Sequence, residues 1–384
     1  MSLPRSALAP GFAGWAALFS GLGLARFAFT PLLPAMIEAG WFSPGGGAAQ
    51  GAANLAGYLA GAAVALPLAR HFPLRPLLRA GMALVAVALA LCMISPNAWP
   101  AGGLLFGIAR TLAGAAGGVL VVLAPPALLA GVGGERRGRI GGLMFAGVGC
   151  GIAGSAIVLP WLIGVGLPAA WGGLAAAALL LAALAWPLWP REAPVLPPPA
   201  RGVSGLGRLV SGYALNSTAL VPHMLLLSDF VARGLGEGVT TGAIVFALYG
   251  VAASCGPVAG GALADRFGFR PALRAGTAAQ ALAGLLPVLA PTLPLACLSA
   301  ILMGALTPGM PLLVLGRAVE LVGAERARRG WARATIAFAA CQGLAAWAAA
   351  ALFAATGDYA TLFAGAALFA VASGLVLDSA RTAG

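Results

Sequence analysis

The stretch LARHFPLRPLLRAG, Leu68–Gly81, returns 195 residues later as LADRFGFRPALRAG, Leu263–Gly276, with nine of its fourteen positions identical. Each copy follows a long apolar run and opens another. A second echo has nearly the same spacing: ERRGR at 135–139 and ERARR at 325–329. A chain that repeats two charged junctions in the same order is built from two similar halves. One exchange inside the repeat reverses a sign, because Arg70 stands where the second copy has Asp265.

The 384 residues are 61% hydrophobic and 8% charged, against about 25% charged in a typical soluble domain. Such a chain cannot cover itself with polar surface and is satisfied by lipid. The net charge of +12 would suggest nucleic acid in a soluble protein. Here the cations, all arginine, sit in particular loops, so a nucleic-acid partner is not expected. Cys92, Cys150, Cys255, Cys297 and Cys341 are scattered singly through apolar segments, which reads as small buried hydrophobes rather than a metal or disulfide framework. The apolar N-terminal run continues through TPLLPAMI into no polar region, so it is expected to be a retained first helix and not a cleaved signal.

Crossing a bilayer takes roughly 20 apolar residues. Breaking the chain at charge clusters, Pro and Gly gives twelve segments, numbered as helices 1 to 12: 12–37, 48–69, 77–95, 100–130, 139–163, 168–189, 208–230, 239–264, 272–290, 294–318, 332–355 and 359–378. Loops after the even-numbered helices hold the arginine clusters, whereas those after odd-numbered helices hold only Arg233. The positive-inside rule places both termini in the cytoplasm. The expected architecture is an all-α membrane protein, with twelve transmembrane helices in two pseudo-symmetric six-helix bundles. These span 1–190 and 208–384, joined by a Pro-rich cytoplasmic linker, 191–207. Parallel six-helix halves are the major facilitator arrangement.

Particular motifs point the same way. GALADRFGFR, 261–270, resembles the cytoplasmic loop motif of the major facilitator superfamily, and RTLAGAAG, 110–117, resembles its helix 4 motif. GLGLARFAFTPLLPAM, 21–36, and ANLAGYLAG, 53–61, are similar to helices 1 and 2 of the bacterial YbfB/YjiJ-like branch. The first-half loop departs from the motif at Arg70 and Pro73, and helix 5 lacks the Gly-Pro pair of the antiporter motif. The resemblance implies a central cavity lined by helices 1, 4, 7 and 10. It also implies that Asp265, with Arg266 and Arg270, holds the cytoplasmic side closed. Asp265 would face the loop carrying Arg136, Arg137 and Arg139, and Arg70 would face Glu320 and Glu325 with the polarity reversed.

Charged residues inside a bilayer are costly and are functional candidates by default. Arg26 and Arg110 fall about 15 Å from the outer ends of their helices at 1.5 Å per residue. Guanidiniums near the midplane suit a carboxylate or similar anion; the alternative is that they bond backbone carbonyls and lock helices together. Tyr213, Asn216 and His223 on helix 7, Asn54 and Tyr58 on helix 2, and Gln342 on helix 11 are polar interruptions of apolar runs, read as substrate contacts or as interhelical hydrogen bonds. His223 is the titratable side chain placed inside a core helix and so the candidate for a coupled proton; the alternative is a hydrogen-bonding histidine that never titrates. The prolines of TPGMP, 307–311, are expected to break or kink helix 10.

No nucleotide loop, paired catalytic carboxylates or metal-ligand spacing stands out, so no enzyme, cofactor or metal is expected. The reading is a monomeric secondary transporter of a bacterial inner membrane that moves a small solute, preferably an organic anion, by alternating access, with a proton as a candidate coupling ion. An exporter of amphipathic or drug-like molecules and a non-transporting receptor or scaffold are the rival readings.

Overall fold

A computed structural model describes residues 5–190 and 204–380; most of the linker expected at 191–207 lies outside them. Among the described residues every regular element is helical. Helix 1 has three parts, Arg5–Leu18, a π-helical stretch Phe19–Phe27, and Phe29–Glu38. There follow helix 2 (Pro44–His71), helix 3 (Leu74–Leu91), helix 4 (Gly102–Leu129), helix 5 (Arg137–Val165) and helix 6 (Leu167–Ala185). Helix 7 (Ser204–Asp229) ends in a π-turn, Phe230–Gly234, and leads to helix 8 (Gly238–Phe267) and helix 9 (Phe269–Leu289). A continuous 64-residue element, Leu293–Thr356, precedes helix 12 (Tyr359–Asp378).

Eleven of these helices are long and apolar enough to cross a membrane, and the 64-residue element is two crossings joined end to end. At 1.5 Å per residue it would reach about 96 Å, three times a hydrocarbon core of about 30 Å. It is divided at Gly323, whose φ of 78° and ψ of 160° are non-helical and lie where glycine alone is comfortable. Helix 10 is thus 293–322 and helix 11 is 324–356, which restores twelve crossings. The division falls between the expected segments 294–318 and 332–355, whereas at TPGMP, where a break or kink was expected inside helix 10, Pro308 and Pro311 sit in a helix that keeps its α conformation. Packing holds it there. A Cβ added at Gly304 would lie 2.3 Å from the Tyr249 carbonyl, and Tyr249 hydrogen-bonds the Thr307 hydroxyl.

Large apolar side chains face outward on many helices, among them Leu104, Trp161, Trp347 and Leu375, each at least two-thirds exposed. Apolar surface this extensive belongs in lipid. Polar side chains turn inward instead, with Ser20, Asn54, Arg110, Asn216, His223, Gln280 and Ser299 nearly or wholly buried.

The chain divides into two compact units, Met1–Val132 with Gly147–Val195, and Gly133–Ala146 with Leu196–Gly384. The division differs from a cut at the linker, because helix 5 changes allegiance between Ala146 and Gly147. Its first turns pack on helix 8, where an added Cβ at Gly138 would meet the Gly261 carbonyl at 2.2 Å. Its later turns pack on helix 1, where one at Gly147 would meet the Trp15 carbonyl at 2.2 Å.

Candidate functional site

In the first unit, Arg110 and Asn54 meet at the carbonyl of Ala25, and Arg26, the residue after it, lies beside Tyr58. This carbonyl lies in the π-helical stretch, in which Ala28 N–H donates five residues back to Gly23 at 3.0 Å. It accepts from Arg110 Nη1 at 2.8 Å and from Asn54 Nδ2 at 3.2 Å. Asn54 Nδ2 also donates to the Arg110 carbonyl at 3.0 Å, so one amide ties helices 1, 2 and 4 together. The Arg110 guanidinium is 1% exposed and lies 4.4 Å from the Phe29 ring centroid and 5.7 Å from that of Trp171. Aromatic faces and a backbone dipole offset its desolvation. The guanidinium thus joins helix 4 to helix 1 through the Ala25 carbonyl.

Arg26, the next residue after the shared carbonyl, is placed differently. It is half-buried, with its guanidinium carbon 5.3 Å from the Tyr58 ring and 5.5 Å from the Phe27 ring. Tyr58 itself is buried. Helices 2 and 4 carry no acidic residue, and helix 1 has only Glu38 at its end, so this cluster is net positive.

In the second unit the expected residues do not form one cluster. Tyr213 stacks on Phe338 at 4.5 Å and on Trp331 at 6.0 Å, and Phe145 meets the edge of Trp331 at 6.1 Å. Asn216 Nδ2 donates to Gln280 Oε1 at 2.6 Å. Gln342 Nε2 approaches Met224 Sδ at 3.5 Å. His223 is wholly buried with its ring edge-on to Phe363 at 5.0 Å. The Ser299 hydroxyl donates to the Ala283 carbonyl at 2.7 Å, so its oxygen accepts from His223 Nε2 at 2.8 Å. That network puts a proton on Nε2.

Gln280, Ser299, Trp331, Phe338 and the Tyr249–Thr307 pair were not singled out by the sequence reading. Gln280 and Ser299 were within its reach, since each interrupts an apolar run as Asn54 does. The π-helical stretch had no such signal, because GLGLARF suits an α-helix equally well.

At the ends bearing the repeated loops, Asp265 caps helix 5. Its carboxylate, 4% exposed, accepts from Gly138 N–H at 2.6 Å and Arg139 N–H at 3.0 Å, with Arg139 Nε at 3.9 Å. Arg270 and Arg274 instead grip the end of helix 12, donating to Asp378 at 3.0 and 2.5 Å. Arg79, the equivalent of Arg274, grips the end of helix 6, donating twice to the Trp186 carbonyl at 2.9 and 2.6 Å and lying over the Trp186 ring. The repeated Arg-Pro-x-Leu-Arg therefore ties the third helix of each half to its sixth. Arg266 lies over Phe267, while Arg70, Arg136 and Glu325 are exposed. Glu320, expected to be available to Arg70, is engaged within its own unit by Phe269 N–H at 3.0 Å and Arg317 at 2.9 Å.

Among the described residues no group of three or more His, Cys, Asp or Glu side chains could hold a metal ion. No curated protein matches the sequence. Solved structures match along nearly the whole chain. The human organic anion transporter MFSD10 superposes with a TM-score of 0.75 at 17% identity, covering 98% of this chain and 100% of that one. The Escherichia coli fucose:proton symporter FucP gives 0.74 at 18%, covering 99% and 100%. The proton:xylose symporter XylE gives 0.74 at 15%, covering 96% and 94%. At such identities the likeness shows the fold. The family model described as "Uncharacterised MFS-type transporter YbfB" matches residues 18–377. With that match over almost its whole length, the chain belongs to the YbfB-type family of major facilitator transporters.

Proposed function

We propose that this transporter moves a small organic anion across a bacterial inner membrane, by alternating access of its two halves around a midplane site, with both termini in the cytoplasm. The observation that carries the anion class is Arg26. It is a permanently charged, half-buried guanidinium flanked by Tyr58 and Phe27, in a cluster whose helices 2 and 4 supply no acid. A planar guanidinium recognises a carboxylate through two parallel hydrogen bonds. The organic-anion title of MFSD10 agrees with this class, although fold likeness at 17% identity does not carry it. The Asp265 cap on helix 5 supports a cytoplasmic latch, made when that side closes and released when it opens. Arg70 and Glu325 are proposed as its counterpart of opposite polarity.

A thermal-shift screen of small carboxylates, sugars and amines against detergent-purified protein tests the class, since a ligand of the folded state raises its melting temperature. Carboxylates are expected to score. Counterflow of the best one in proteoliposomes is expected to fall at least about 100-fold in Arg26→Ala, equivalent to about 2.7 kcal/mol, and partially in Arg26→Lys. Stabilisation by sugars or amines alone, or unchanged carboxylate affinity in Arg26→Ala, overturns the proposal. Absence of counterflow for every stabilising ligand points to a receptor or scaffold.

A further inference from the structure

A π-helix of nine residues, Phe19–Phe27, needs a cause. The i→i+5 pattern is rare, occurs mostly as single turns and concentrates at functional sites. Here a backbone carbonyl within it receives two donors from other helices, Arg110 Nη1 and Asn54 Nδ2 on the Ala25 oxygen. Both donors are nine-tenths or more buried, and Asn54 is itself pinned to helix 4 through the Arg110 carbonyl. The residue that follows this oxygen is Arg26.

We infer that Asn54 and Arg110 are positioning residues. They form a two-donor clamp on the Ala25 carbonyl that holds helix 1 in its π register and thereby aims Arg26. Interactions from outside the helix compensate the weaker hydrogen-bond ladder of the wide form. The interior also leaves room for close approach, for a Cβ added at Gly117 would meet the Gly21 carbonyl at 2.3 Å. Without the clamp the α register is the lower in energy. An α-helix advances about 100° per residue, further than the wider π form, so the direction that Arg26 faces would pass to residue 25. The substrate contacts Arg26 and not Arg110, whose guanidinium is enclosed by Phe29 and Trp171.

The inference rests on the anion reading only for what Arg26 meets, so its test uses no anion. In a background with the five native cysteines replaced, Ala25→Cys and Arg26→Cys are each labelled with a membrane-impermeant maleimide in proteoliposomes. Asn54→Leu keeps the side-chain shape and removes both donations. It is expected to slow labelling of Cys at 26 at least about fivefold and to speed labelling at 25 by a similar factor. Arg110→Met is expected to shift both rates the same way, and Arg110→Lys, which retains a donor, to restore them towards the parent. A folded Asn54→Leu protein that labels like its parent at both positions overturns the inference. Should that variant fail to fold, Arg110→Met against Arg110→Lys decides by the same criterion. Loss of the clamp effect with retained Arg26→Ala sensitivity sinks the clamp alone, whereas the reverse outcome sinks the anion reading alone.

Discussion

Helix 4 of the first unit and helix 10 of the second lie against helices 2 and 8 through one shared device. A Cβ at Gly114 would sit 2.0 Å from the Asn54 carbonyl, and one at Gly304 would sit 2.3 Å from the Tyr249 carbonyl. Asn54 and Tyr249 are separated by 195 residues, the spacing of the repeated loop, and Gly114 and Gly304 by 190, the spacing of ERRGR and ERARR. The side chains at these matched positions diverge. In the first unit Asn54 and Arg110 converge on Ala25. In the second, Tyr249 meets Thr307, and the position 190 residues after Arg110 is Ala300. The second unit's buried side-chain pairs include Asn216–Gln280 and His223–Ser299. Close helix approach is therefore common to the halves, because the fold imposes it on both, while the two-donor contact on the Ala25 carbonyl belongs to one.

The largest effect tests the common part. Gly114→Ala and Gly304→Ala each force a methyl onto a neighbouring backbone, and overpacking of this kind costs about 1–3 kcal/mol. Both should lower the melting temperature by similar amounts; a drop in one half alone breaks the packing equivalence. His223→Gln sharpens the contrast in chemistry. It disturbs the Ser299 contact, a loss of about 1 kcal/mol, yet should leave the pH profile of counterflow as in the parent. A flattened profile in a folded variant would instead make His223 the proton carrier and give the second unit its own charge chemistry.

The loops offer a smaller effect of the same design. Asp265→Ala removes a helix cap worth about 1 kcal/mol and should raise maleimide labelling of cysteines introduced on the cytoplasmic side of the cavity. Arg70→Ala, at an exposed position, should change labelling less, and Arg70→Glu with Glu325→Arg should label less than Arg70→Glu alone. Equal effects of Asp265→Ala and Arg70→Ala would mean that the sign reversal between the copies carries no functional asymmetry. The smallest expected difference lies between Arg79 and Arg274. The Arg274–Asp378 contact is an ion pair and should weaken with salt, so the melting-temperature loss in Arg274→Ala should shrink at high ionic strength. Arg79 bonds a neutral carbonyl, and the loss in Arg79→Ala should depend on salt less. Matching salt dependence would show the two grips to be the same interaction.

Some of this was settled by sequence alone. Apolar content, arginine-bearing loops and two echoed junctions determine a membrane chain of two six-helix halves, because a lipid solvent leaves few ways to satisfy a backbone. Arg26, Asn54 and Arg110 stood out for the same reason: a polar side chain in an apolar run is costly and conspicuous. What those residues do was not legible. Whether a guanidinium faces a ligand or a carbonyl depends on helix phase, and the phase here turns on the nine-residue π-helical stretch, which local sequence does not distinguish from an α-helix. The unbroken helix at TPGMP has a related cause, since packing against helix 8 holds two prolines in it. The reach of Asp265 to helix 5, 126 residues away along the chain, likewise exists only once the helices are assembled. Composition determines which groups must be buried, but only tertiary packing decides which buried groups meet.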